Sequence, residues 1–88
     1  MINREEYFLL LAAPSTHYVM KLEKDLQNYG IWCKIIPLPG EISAGCGLSI
    51  RYNLEDEQKV DKILIDENIV VDKYLVHKVG LKKTITKK

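Results

Sequence analysis

The side chains with the most chemistry to offer in this 88-residue sequence are two thiols and two imidazoles: Cys33, Cys46, His17 and His77. A thiolate is a nucleophile and a carrier of sulfur, and its formation depends on neighbouring groups that favour an anion, helix N-terminal amides among them. Cys46 lies in Ser43-Ala44-Gly45-Cys46-Gly47, where small side chains permit close approach of a reactant. Cys33 lies in Ile31-Trp32-Cys33-Lys34-Ile35, an apolar setting that reads as core. Two cysteines supply neither a disulfide framework nor a four-ligand zinc site, and neither histidine stands at metal-ligand spacing from a cysteine. No metal is assigned, and no cofactor either, since Gly40, Gly45 and Gly47 match no phosphate-binding loop. Buried cysteine is common, so the residues alone leave an inert Cys46 open.

Residues 7–13 are a continuous apolar run closed by Pro14, which suits a strand. Ser15 or Thr16 can then cap a helix whose buried stripe is Val19, Leu22, Leu26 and Tyr29, ending at Gly30. A second strand is expected over 31–36, running into Pro37-Leu38-Pro39-Gly40. From Gly47, period-two alternation sets Leu48, Ile50 and Tyr52 on one face, a third strand. Glu55, Asp56 and Glu57 open a second helix to about residue 67 on a stripe of Val60, Ile63 and Leu64, and 70–79 supplies a last strand. The order βαββαβ predicts an α+β, ferredoxin-like domain over residues 1–80, one four-stranded antiparallel sheet with two helices on one face. Residues 81–88, rich in lysine, are expected to fray as a tail.

In that topology a right-handed crossover makes strands one and two parallel, and strand three fits between them, antiparallel to both. Strand three then begins where strand one ends, so Cys46 is expected beside Pro14, Ser15 and Thr16. Counting by twos from Leu48 and Ile50 puts Cys46 on the helix-covered face, its sulfur toward the free amides of the first helix. His17 belongs to the same helical turn, and the loop over 38–45 is expected to arch over that end of the sheet, bringing Ser43 and Gly47 beside the sulfur. The lysine tail, beyond the opposite edge, should be dispensable to the thiol.

Charge and hydropathy exclude several classes. Thirteen basic against twelve acidic side chains leave a net charge of +1, too little to recruit nucleic acid or anionic membrane. The outward residues of strand three, Gly47, Ser49 and Arg51, lack the stacking aromatics of an RNA-binding sheet. Ala13-Pro14-Ser15-Thr16 stands where a copper carrier of this topology would hold paired cysteines. The apolar run at 7–13 is too short to span a membrane, and Glu5 and Glu6 occupy the place of a basic signal-peptide segment, so a soluble cytoplasmic protein is expected.

Ser15-Thr16-His17 opening a helix with Glu23-Lys24, then Gly30-Ile31, Ile36-Pro37-Leu38-Pro39, Glu41-Ile42-Ser43 and Cys46-Gly47-Leu48-Ser49-Ile50-Arg51, resembles the Se/S carrier-like family of small bacterial proteins over nearly the whole chain. The sequence departs from the family pattern at Gly40, where a basic residue is usual, and at Ala44-Gly45, where hydroxylated residues are common. The resemblance implies a carrier in which the single motif cysteine, here Cys46, holds sulfur or selenium as a persulfide or selenosulfide. Its partners are sulfur or selenium donor and acceptor proteins, and no enzymatic turnover is required. Ser15, Thr16, His17, Ser43 and Gly47 are the residues expected to settle the loaded sulfur. The competing reading is an interaction module with an inert Cys46, whose sheet edge or open sheet face binds a partner or a second copy of the chain.

Overall fold

The computed structural model describes residues 4–42 and 46–88. Strand β1 (Glu5–Ala12) occupies the middle of the sheet and is apolar on both sides because both sides are covered. Leu9 and Leu11 face one hydrophobic cluster, and Phe8 and Leu10 face another. Helix α1 (Thr16–Asn28) follows, buries Val19, Leu22 and Leu26, and ends where Gly30 takes a φ of 76°. Strands β2 (Cys33–Pro37) and β3 (Leu48–Tyr52) come next. A 3-10 turn over Leu54–Asp56 then leads into helix α2 (Glu57–Asp66), which buries Val60 and Ile63. Strands β4 (Asp72–Val79) and β5 (Lys82–Lys87) complete the chain. No helix among the described residues is long and apolar enough to cross a membrane.

The sheet order is β2-β3-β1-β4-β5, with every neighbouring pair antiparallel. The α+β class, the antiparallel sheet and the insertion of β3 between β1 and β2 follow the sequence expectation. The four-stranded ferredoxin-like sheet is corrected: among the described residues the sheet has five strands. The residues expected to fray form β5, which lies along β4 in the register Val79↔Lys82 to Tyr74↔Lys87. Its anchoring is physical. Ile85 packs toward Phe8 and Val76, the Lys88 amide donates to the Lys73 carbonyl at 2.8 Å, and Lys88 Nζ lies 2.8 Å from a Glu57 carboxylate oxygen.

Both helices lie on one face, where Val19, Leu22, Leu26, Val60 and Ile63 meet Leu9, Leu11, Ile50 and Tyr52. Each fully buried Leu or Ile of this cluster contributes about 1.5–3 kcal/mol. The other face carries Phe8, Leu10 and Val76, and here the loop after β2 departs from expectation. Pro39-Gly40-Glu41-Ile42 closes as a turn, with the Ile42 amide donating to the Pro39 carbonyl at 2.9 Å. Ile42, only 8% exposed, is then laid on the helix-free face rather than over the end of the sheet.

Lys73 Nζ lies 2.8 Å from Glu57 and 3.0 Å from Asp61, which ties α2 to β4. Hydrogen bonds from Lys73 and then Lys88 hold the Glu57 carboxyl below its ordinary value of 4.5, outweighing the burial that opposes them. A carboxyl with a lowered folded pKa adds stability above its unfolded pKa and loses that contribution as pH falls through the folded value. Urea unfolding between about pH 3 and pH 7 should therefore show an acid decline that is shallower in Glu57→Gln than in the wild type. Equal acid slopes in the two proteins would mean that this cluster contributes nothing to the pH dependence.

Candidate functional site: the thiol at the start of β3

The register Ala12↔Ser49 sets the beginning of β3 beside the end of β1. Cys46 stands two residues before β3 begins, half-buried against the helix-side cluster, the face expected for it. Its Sγ lies 3.7 Å from the Ala13 carbonyl oxygen and 3.8 Å from that of Leu48, two acceptors within reach of its one S–H. Gly47 follows with a φ of 70°, a conformation that costs an L residue about 1–2 kcal/mol. Open space surrounds the position a Cβ would take, so backbone conformation rather than crowding calls for glycine. The Gly47 carbonyl accepts from the Leu38 amide at 2.9 Å, closing the base of the loop that ends at the cysteine.

Ser15 caps α1: its Oγ accepts from the Tyr18 amide at 3.4 Å, and its carbonyl accepts from Val19. Thr16 and His17 are exposed in the first turn. His17 meets the Tyr18 ring edge-on at 6.1 Å and, with Pro14, Lys21, Glu67 and Val70, lines an open groove of about 560 Å³. Ser43 lies outside the described residues, with Ala44 and Gly45. The structure thus brings Cys46 and Gly47 to the end of β1, three residues before the Ser15 cap. Among the described residues no hydrogen bond joins the sulfur to Ser15, Thr16 or His17. Among the described residues the hydrogen-bond partners of the Cys46 thiol are the carbonyl oxygens of Ala13 and Leu48.

Cys33 is placed very differently. It is 8% exposed, its Sγ lies 3.7 Å from the Glu23 carbonyl oxygen, and burial followed by the Glu23 charge pushes its thiol pKa up. It pairs opposite Tyr52, at the far end of β3 from Cys46, and both thiols are free. Sequence reasoning missed the ionic cluster bordering the groove, where Lys21 Nζ lies 3.4 Å from Asp25 and 3.8 Å from Glu67. Loss of hydration and then the neighbouring Asp25 carboxyl push the Glu67 pKa up. The i,i+4 spacing of Lys21 and Asp25 was visible in the sequence, but Glu67 arrives from the end of α2. Among the described residues no group of three His, Cys, Asp or Glu side chains is placed to hold a metal ion.

Residues 8–75, a span from β1 into β4 that contains Cys46, match the model of the family described as "Putative Se/S carrier protein-like". The chain belongs to this family. The span of the Se/S carrier match ends within β4, before β5. Comparison with curated proteins gave no match, and comparison with solved structures gave none.

For this Se/S carrier family member the two thiols should separate kinetically. Alkylation by iodoacetamide, followed in Cys33→Ser and Cys46→Ser, should be markedly faster at Cys46, which is half-buried at a strand start, than at Cys33, which is enclosed in the core. Equal rates at the two positions would show that burial does not distinguish them in solution.

Proposed function

We propose that this chain carries a sulfur or selenium atom on the thiol of Cys46. The observation that carries this reading is a partly exposed cysteine, the other thiol being buried, inside a span that matches a Se/S carrier family. Loading is a thiol exchange. The Cys46 thiolate attacks the outer sulfur of a donor persulfide, a bond forms between the two sulfurs, the donor's own S–S bond breaks, and the donor leaves as a thiolate. No oxidant is consumed. Delivery is the same step with an acceptor thiolate attacking the outer atom and Cys46 leaving, and a donor selenosulfide transfers selenium in the same way.

The surroundings suit such an exchange. In the unloaded protein the thiol can donate its one hydrogen to either the Ala13 or the Leu48 carbonyl, at the edge of the core. A loaded cysteine carries its charge one atom beyond Sγ. The N-terminus of α1, which begins three residues after Ala13, belongs to this end of the sheet and favours negative charge. Ser15 contributes by fixing that terminus, Gly47 by turning the chain into β3, and Thr16 and His17 by offering polar groups to the loaded atom from the first turn of α1; Ser43, also expected to contribute, lies outside the described residues. The cytoplasm is the compartment in which free thiols persist for this work, and donor and acceptor proteins are the partners.

A second reading, an interaction module with an inert cysteine, draws on the carbonyl partners of the sulfur, which offer an anion nothing. Intact-protein mass spectrometry decides between them. After incubation with glutathione persulfide, the wild type and Cys33→Ser should gain the mass of one sulfur atom that dithiothreitol removes, and Cys46→Ser should not. A gain that survives in Cys46→Ser, or no gain in any form, would overturn the carrier reading.

A further inference from the structure

Strand β5 lies outside the matched span, yet it touches the segment that ends in the thiol. The loop joining β2 to β3 starts at one edge of the sheet, and β5 forms the other edge. Even so, Glu41 of that loop reaches Lys83 of β5 at 3.8 Å, and Ile42 shares one apolar cluster with Phe8, Val76 and Ile85. Leu38 packs against the same cluster while its amide donates to the Gly47 carbonyl at 2.9 Å, one residue from Cys46. A continuous path of described contacts therefore runs from β5, through the helix-free face, to the backbone beside the thiol.

We infer that β5 and Ile42 form a positioning device that sets how far Cys46 is exposed. Ile42 is the main anchor, because a buried aliphatic side chain outweighs an exposed ion pair. The pair Glu41–Lys83 then adds direction, drawing the loop across the sheet to the far edge. The lysine tail expected to be dispensable is in this reading part of the site's support. The inference builds on the carrier reading for its purpose, but its test needs only the thiol.

Alkylation of Cys46 is measured in full-length variants, with Cys33 in the same molecules as the internal gauge of global unfolding. Ile42→Ala should raise the Cys46 rate about tenfold while leaving the Cys33 rate near wild type, as expected when the anchor of a local opening is truncated. Glu41→Lys should raise it about twofold, and the exchange Glu41→Lys with Lys83→Glu should return it to the wild-type value, as an exposed ion pair of modest strength predicts. Ile85→Thr, at a partly exposed position on β5, should act in the same direction as Ile42→Ala. An unchanged Cys46 rate in Ile42→Ala, or a parallel rise at Cys33 and Cys46, overturns the inference. So does failure of the charge exchange to restore the rate. Persulfide loading is scored separately in the same variants: normal positioning without loading would count against the carrier reading alone.

Discussion

Everything at the thiol depends on the antiparallel register between β1 and β3. Strand β1 is apolar on both faces and could slip by one residue with little change in its own burial. Strand β3 could not. Ile50 and Tyr52 are buried beneath the helices, while Ser49 and Arg51 face the other way, and Ser49 Oγ donates to the Ile36 carbonyl at 3.3 Å. A one-residue slip would drive an arginine under α1 and α2 and expose a tyrosine. The alternation of β3 therefore holds Ala12 opposite Ser49, and that pairing delivers Cys46 to the end of β1.

The helix-free face is treated differently from the helix side, and the difference bears on function. Arg51 lies over the Phe8 ring, 3.9 Å from its centroid, and reaches Glu6 at 3.3 Å, so a cation covers part of this apolar surface. Ile42 covers another part. A loop used as a cover keeps a sheet face from association, and at its base the Leu38 amide is bonded to the Gly47 carbonyl beside the thiol. The edge strand β5 carries lysines at positions 82, 83 and 87, charges that oppose strand addition at that edge.

Much of this was legible in the residues. The run closed by Pro14, the Ser15 cap, the Gly30 stop and the alternation from Leu48 to Tyr52 each have a local physical cause, whereas the left-handed turn at Gly47 interrupts that alternation before Cys46. What was not legible depends on contacts between distant segments. Thr84-Ile85-Thr86 has the branched side chains of a strand, but the surrounding lysines concealed it, and its pairing with β4 is a contact between segments. Ile42 sits alone between polar and small residues, with no periodicity to say which face it would join. The carbonyl partners of Cys46 escaped notice because residue patterns report side chains, whereas the atoms that meet this sulfur belong to the backbone.

The central claim is that Cys46 receives a chalcogen atom and releases it again, and tracing the atom itself tests this most directly. A persulfide donor labelled with radioactive sulfur is mixed with the protein, excess donor is removed, and an acceptor thiol is added. The account predicts label on the Cys46 peptide after the first step and its transfer to the acceptor after the second, with none bound by Cys46→Ser. Label that never reaches the Cys46 peptide, or that reaches it and cannot be passed on, would contradict a carrier.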